Sequence, residues 1–535
     1  MSDVKFSCPN CGQHITADQK YGGCQMICPA CSTAVTVPEA ASQAPLPAAA
    51  TAPAAAPAGG SNTLAITLSI IVGAIVIGGG VGAFVAMKRG GNGTPANNQA
   101  TTPPEPGGSN PLPPVEPSPV SAPSSSTPAS SAPKPMAVSS ASNNTNPWPQ
   151  FRGANRDARS TETGLLKRWP AGGPKLLWKA TGLGGGYSSV AVAGGKVVTM
   201  GDGRGSSQVH AVDENTGRKL WSSPDVGRTG GNYPGTKSTP AIDLAGGKVY
   251  ALGQFGDFVC VNLANGQEVW RKNLQRDFGG QFSSWNYAES PLLDGDKVMV
   301  SPGGGRGAVV ALNKADGSTA WQSRQFTDQA QYVSLVIAPM GPRRHYITMS
   351  QQNIAGIDAQ NGSLIFRIPR AGKTAVIPSP VVYNNIIFVT SGYNVGCNAF
   401  QINSQGGRLT TRRLYANREL VNHHGGIVLD DKYVYGHSDR GGWKCMDIIN
   451  GNVLWENRGV GKGAVVYADG HLICRGESGQ GSVALVEATP QGYVEKGRFA
   501  QPDRSNKNSW AHPVVANGKL FLRDQDVLLC YDLKG

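Results

Sequence analysis

Four cysteines near the N-terminus carry the sharpest chemical signal in this sequence. CPNC (8–11) and CPAC (28–31) form two C-x2-C knuckles sixteen residues apart. That spacing brings Cys8, Cys11, Cys28 and Cys31 to the corners of a tetrahedron, the geometry of a structural Zn2+ site. A segment of about 35 residues has almost no core of its own, so metal binding would supply its folding energy. Cys24 is a fifth thiol, either a bystander or a substitute for Cys28. The competing reading is a disulfide pair, which requires an oxidising compartment.

A second set of candidates is dispersed along the chain: Tyr187, Lys237, Trp285 with Glu289, Tyr332, His423 with His424, Lys462, and Trp510 with His512. They become a site only if the fold gathers them. Rings would then supply contact area, while a carboxylate, cations and imidazoles would fix orientation, which suits ligand binding. Two other readings compete: Trp285 and Trp510 plug a channel while His424 hydrogen-bonds a neighbouring repeat, or the imidazoles hold a metal. No Ser/His/Asp order and no H-E-x-x-H motif appears. The glycines at 184–186 and 303–305 read as turns, because a phosphate loop also needs a lysine and a helix.

The elements that must position these residues are repeats. AVDENTGRKLW (211–221) has near-copies at CVNLANGQEVW (260–270), ALNKADGSTAW (311–321), GIDAQNGSLIF (356–366) and CMDIINGNVLW (445–455). Each repeat holds four short β-runs separated by turn residues, the signature of a propeller blade. The Asn-Gly or Thr-Gly pair turns the third strand into the fourth, where positive φ is needed. The aromatic four residues on is expected to pack between neighbouring blades. Outer-strand aromatics at Trp178, Trp221, Trp270, Trp321, Phe366, Tyr415, Trp455 and Phe499 stand 40 to 51 residues apart and predict eight blades. The last repeat has three strands, so PKLLWKA near residue 178 should complete it and close the ring, leaving no free edge. The fold class is all-β, an eight-bladed β-propeller over 147–535. The candidate residues precede the innermost strands and so converge on one rim. Cys260, Cys445 and Cys530 share one apolar repeat position and read as buried core thiols.

The regions before the propeller differ in texture. Residues 1–37 are the zinc ribbon, and 38–63 are an Ala/Pro linker. Leu64–Met87 carries no charge for 24 residues and is long enough to span a bilayer once. It is too long, and too far from the start, for a cleavable signal peptide. Residues 88–146 are rich in Pro and Ser with few bulky apolar side chains, and read as an extended, disordered tether. Lys88 and Arg89 favour a cytoplasmic C-terminal side, whereas a zinc ribbon needs reduced thiols. Two charges make a weak bias, so the expectation follows the thiols: ribbon in the cytoplasm, propeller in the periplasm or outside. The net charge of +13 comes from the propeller, since residues 1–146 are balanced. It is scattered, without a dense basic run, and does not point to nucleic acid.

The repeat A-x-D-x-x-x-G-x-x-x-W resembles the quinoprotein-type propeller repeat of pyrroloquinoline quinone (PQQ) dehydrogenases and of BamB-type outer-membrane assembly proteins. WPQFRG (148–153), GLLKRWP (164–170), NHHGGIVL (422–429) and WAHPVVANGKLFLRDQDVLLCYD (510–532) are similar to hallmark stretches of exported PQQ-like propellers of planctomycete and verrucomicrobial type. The resemblance covers about 148–535. It implies the fold and leaves two activities open, because fold does not fix function. A PQQ dehydrogenase would need a stacking platform, a Ca2+ held by oxygens and an Asp base. The platform in that family includes a ring made by adjacent cysteines, and this chain has no Cys-Cys pair. The favoured expectation is a non-catalytic binding or interaction scaffold in the cell envelope, meeting envelope proteins or a small ligand at the propeller rim. The alternatives are a PQQ-dependent alcohol or sugar dehydrogenase and a BamB-like helper in outer-membrane protein assembly.

Overall fold

The computed structural model describes residues 3–18, 23–27, 33–38 and 146–535, apart from 232, 341–342 and 406–407. Cys28, Cys31, the run Leu64–Met87 and both linkers lie outside the described residues. Cys8 and Cys11 stand at the first knuckle, after the hairpin strand Asp3–Ser7, with Gly12 N–H donating to the Cys8 carbonyl at 2.9 Å. Strand Gln25–Ile27 pairs with Ala34–Thr36 in a second hairpin. Among the described residues, no helix is long and apolar enough to cross a membrane.

Residues 176–532 form eight antiparallel sheets of at least four strands each, an eight-bladed β-propeller. The innermost strands are Ala191–Ala193, Ala241–Asp243, Leu292–Asp294, Val336–Met340, Val381–Tyr383, Ile427–Asp430, Gly463–Ala468 and Val514–Ala516, blades 1 to 8 in that order. Leu176–Ala180 supplies the outermost strand of blade 8, with Trp178 opposite Cys530. Trp270 and Trp455 face Cys260 and Cys445 in the same register. These thiols are buried, and burial holds the Cys260 and Cys445 thiols up at about 12.

The recurring motif is a seam between blades. Each repeat glycine sits in the left-handed region and touches the aromatic of the preceding blade. At Gly266 (φ 75°) a Cβ would lie 2.4 Å from Trp221 Cε3, and at Gly362 (φ 75°) the same distance from Trp321 Cε3. The indole then donates across the seam: Trp178 Nε1 to the Glu214 carbonyl at 3.0 Å, Trp221 Nε1 to Leu263 at 3.1 Å, Trp455 Nε1 to Thr489 at 2.7 Å. The motif aspartates cap the turn. Asp213 Oδ1 accepts from the backbone N–H groups of Asn215 at 3.0 Å and Thr216 at 2.9 Å, a local Asx turn. Apolar residues of adjacent blades share each seam, as Val198, Val209 and Trp221 of blade 1 do with Val249 and Val259 of blade 2. The motif is architecture, as its turn chemistry indicated.

Candidate functional site

The floor of the central channel comes from a stretch the repeats do not explain. Residues 148–160 cross between inner strands, and Trp148 exchanges two 2.8 Å backbone bonds with Val192 of blade 1. Ile242 of blade 2 donates to the Pro149 carbonyl at 2.7 Å, and Leu293 of blade 3 to Gln150 Oε1 at 3.0 Å. Arg156 is buried and its guanidinium donates to the carbonyls of Leu335 (2.6 Å), Pro291 (2.8 Å) and Ser290 (3.0 Å). Arg152 donates to Ile427 O at 2.6 Å and Arg159 to Leu429 O at 2.6 Å. Arg159–Ser160 finally adds a parallel strand to blade 7. Arg152, Arg156 and Ala158 all have φ between 58° and 64°. Such backbone costs about 1–3 kcal/mol per residue and persists only where surroundings fix it; here the arginine fans do so.

Above this floor opens a cavity of about 200 Å3. Phe151 and Arg152 form its base, and a belt of hydroxyls lies around it. Ser189 N–H donates to Thr239 Oγ1 (3.1 Å), Thr239 N–H to Ser290 Oγ (2.9 Å), and Ser290 N–H to Ser334 Oγ (2.9 Å). Ser379 Oγ continues the belt to the Ser334 carbonyl at 2.9 Å. Each of these residues stands two positions before its inner strand, so the belt ties blades 1 to 5 together.

The mouth is a collar of rings. Trp285 lies at 5.7 Å from Tyr332 and near-parallel to Tyr393 at 6.4 Å and 12°. Tyr393 meets His423 at 4.6 Å, His423 meets His424 at 5.2 Å, and His424 meets Trp510 at 5.4 Å. Trp510 then contacts Tyr187 at 4.6 Å and Tyr233 at 5.3 Å. Every blade except blade 7 contributes a ring, Tyr393 of blade 5 coming from the turn between its second and third strands, and blade 7 supplies charge instead. Tyr233 (φ 57°) and Tyr393 (φ 54°) hold their rings from left-handed backbone, an uncommon conformation for aromatic residues.

The titratable groups at the mouth are committed to one another. His424 Nε2 lies 2.8 Å from Glu477 Oε2, which also accepts the Trp510 indole N–H at 2.8 Å. Burial would raise the Glu477 carboxyl, but His424 and Lys462 hold it below its usual value. Lys462 Nζ bridges His423 Nδ1 at 2.6 Å and Asp439 Oδ1 at 2.9 Å. Burial, with Lys462 and His424 adding to it, depresses His423 to about 4. Its neutral ring therefore accepts a hydrogen bond from the Lys462 ammonium. His512 is pushed down to about 3 by burial and by Arg152, and its Nε2 faces the His424 carbonyl at 3.0 Å. Lys237 donates to the carbonyls of Tyr233 (3.0 Å) and Gly235 (3.3 Å), and burial lowers it to about 8. Burial raises the phenols of Tyr187, Tyr332 and Tyr393, so they stay neutral.

Of the candidates read from sequence, Tyr187, Lys237, Trp285, Tyr332, His423, His424, Trp510 and His512 line this one cavity. Lys462 stands behind His423. Glu289 does not join them: in the segment leading to the inner strand, Ala288 and Ser290 line the cavity and Glu289 does not, its carboxylate accepting the Ser301 N–H instead. Burial lifts that carboxyl to about 7. Trp285 and Trp510 line the mouth of the cavity, and residues 148–160 cross the channel beneath it. Sequence reasoning missed Phe151, Arg152, Tyr233, Tyr393, Asp439, Glu477 and the hydroxyl belt. The belt had a readable signal, a Ser or Thr two residues before successive inner strands.

The repeated seam and the collar around the channel define a β-propeller of the PQQ-like repeat class. The chain belongs to the family described as outer membrane protein assembly factor BamB, whose model matches residues 154–281 and 205–457, more than half of its length. It is 24% identical over 391 residues to outer membrane protein assembly factor BamB of Burkholderia pseudomallei, covering 70% of this chain and 91% of that protein. It is also 30% identical over 123 residues to a quinohemoprotein alcohol dehydrogenase of Comamonas testosteroni, a match that spans 22% of this chain and 17% of that enzyme. The fold of BamB from Moraxella catarrhalis superimposes with a TM-score of 0.50 at 16% identity, over 67% of this chain and 97% of that one. The Comamonas dehydrogenase gives 0.53 at 11% identity, over 73% and 81%.

The quinone reading implies PQQ with Ca2+, and the donor set fits the two unequally. The collar offers flat ring faces. Calcium needs several oxygen ligands, yet Glu477 and Asp439 are already held by an imidazole, an indole and an ammonium. Among the described residues, no three His, Cys, Asp or Glu side chains are grouped to hold a metal ion. The residues present do not fit the calcium–quinone pair.

Proposed function

We propose that this protein is a membrane-tethered, non-catalytic binding propeller of the cell envelope, exported in the manner of PQQ-like propellers. In this reading Leu64–Met87 crosses the membrane once, and Cys8, Cys11, Cys28 and Cys31 hold Zn2+ on the cytoplasmic side. The propeller faces the periplasm or exterior and meets its partner at the collar. One observation carries the reading: aromatic rings line the cavity while Glu477 with His424, and Asp439 with Lys462 and His423, are bound to each other beside them. That arrangement supplies contact area and orientation, and it commits Glu477 and Asp439 to partners other than a substrate proton.

Site-specific photo-cross-linking in native membranes tests it. A photoreactive residue replaces Tyr233, half exposed at the mouth, or Leu454, exposed on the outer strand of blade 6. Adducts with envelope components are expected at 233. Adducts confined to 454 would favour the BamB-like reading, in which assembly partners dock on the blades.

A further inference from the structure

Charge inside the funnel is one-sided. Its carboxylates are neutralised at the mouth, whereas Arg152 at the base is 3% exposed and its Nη1 has no hydrogen-bond partner in the protein. His512 Nδ1 beside it is also unpartnered. A buried guanidinium left short of an acceptor is costly and unusual. Burial lowers Arg152 only to about 10, so it is cationic at neutral pH. The residue over it is Gly426, at φ 72°; a Cβ there would stand 2.5 Å from Arg152 Nη1 and 2.9 Å from His512 Cε1. A side chain at 426 would therefore press on the guanidinium, and the glycine is what lets the backbone pack over it.

We propose that the funnel binds a small single-ring carboxylate, its acid group on Arg152 Nη1 and its ring face against Trp285 or Trp510. The inference rests on the reading of the mouth as a binding site and names its ligand class. A cavity of about 200 Å3 is smaller than the roughly 300–1,000 Å3 of drug-sized sites and suits a single-ring occupant. A charge-assisted bond to guanidinium supplies the orientation, and Lys237 above adds long-range attraction. The same chemistry is carried by a sugar acid and by an aromatic acid.

Calorimetry on the full chain in detergent separates these sources. D-glucuronate is compared with D-glucose, and benzoate with benzamide. In one pair the acid is expected to bind at least about tenfold more tightly than its neutral partner. That pair identifies the source. Arg152→Gln is expected to erase the acid preference while leaving the weak neutral binding. Should Arg152→Gln fail to fold, as its melting curve would show, Trp510→Ala serves instead and should weaken both members of the binding pair. Equal affinity for acid and neutral partners, or no acid bound at about millimolar concentration, overturns the proposal. Cross-links at residue 233 would then still support the parent reading, whereas quinone turnover would sink that reading itself.

Discussion

The seams between blades and the collar at the mouth are built from the same residue types and solve opposite problems. At a seam, an indole lies on a glycine, and in several blades its N–H goes to the next blade's carbonyl, so nothing is left to offer. At the collar, the rings meet one another at angles from near-parallel to edgewise and line the cavity. The two buried arginines of the crossing segment repeat the contrast. Arg156 spreads its donors over three carbonyls, whereas Arg152 keeps Nη1 unpaired. Arg156 braces the fold with every guanidinium nitrogen engaged, whereas Arg152, which lines the cavity, keeps one to spare.

The largest effect that would break this contrast is at the crossing segment. Arg156→Ala strips three backbone carbonyls of a charged donor, and a loss of about 3–5 kcal/mol is expected in urea unfolding. A loss below about 1 kcal/mol would mean that the segment decorates the channel without bracing it. Next comes the seam. Gly266→Ala forces a Cβ against Trp221 at positive φ and should cost about 2–3 kcal/mol in thermal unfolding. Trp510→Ala at the collar should cost about 1 kcal/mol or less, since that ring is half-buried and borders open space.

Glu289 sharpens the comparison through pH. Its folded value, about 7, lies above its unfolded value of 4.5. The folded state therefore keeps a proton that the unfolded state releases, and stability falls as pH rises from about 4.5 to 7. Glu289→Gln removes this dependence. Its melting temperature should match the parent near pH 4.5 and exceed it at pH 8, by an amount worth on the order of 1–3 kcal/mol. A constant difference across that range would show that the carboxyl titrates normally.

What was legible in the sequence follows the same division. The blade count and the seam were readable because each is written several times with fixed spacing, and the Asn-Gly or Thr-Gly pairs were identifiable as turns. Eight funnel residues were placed by asking what precedes each inner strand. Glu289 failed because that rule ignores the two-residue alternation that turns one side chain in and the next away. Arg152 and Phe151 were invisible as site residues because they belong to a non-repeating stretch whose path depends on six blades at once. Tyr233 and Tyr393 sit in glycine-rich loops where only a left-handed backbone brings the ring inward, and Glu477 and Asp439 matter only through partners far away in sequence.

The most direct measurement is dye-linked oxidation of an alcohol and sugar panel by the full chain supplied with PQQ and Ca2+, with quinone uptake followed by calorimetry. A collar that binds without turning over predicts no calcium-dependent uptake and no dye reduction above the protein-free rate. Calcium-dependent uptake with turnover that Trp510→Ala abolishes would contradict it and make the collar a quinone active site.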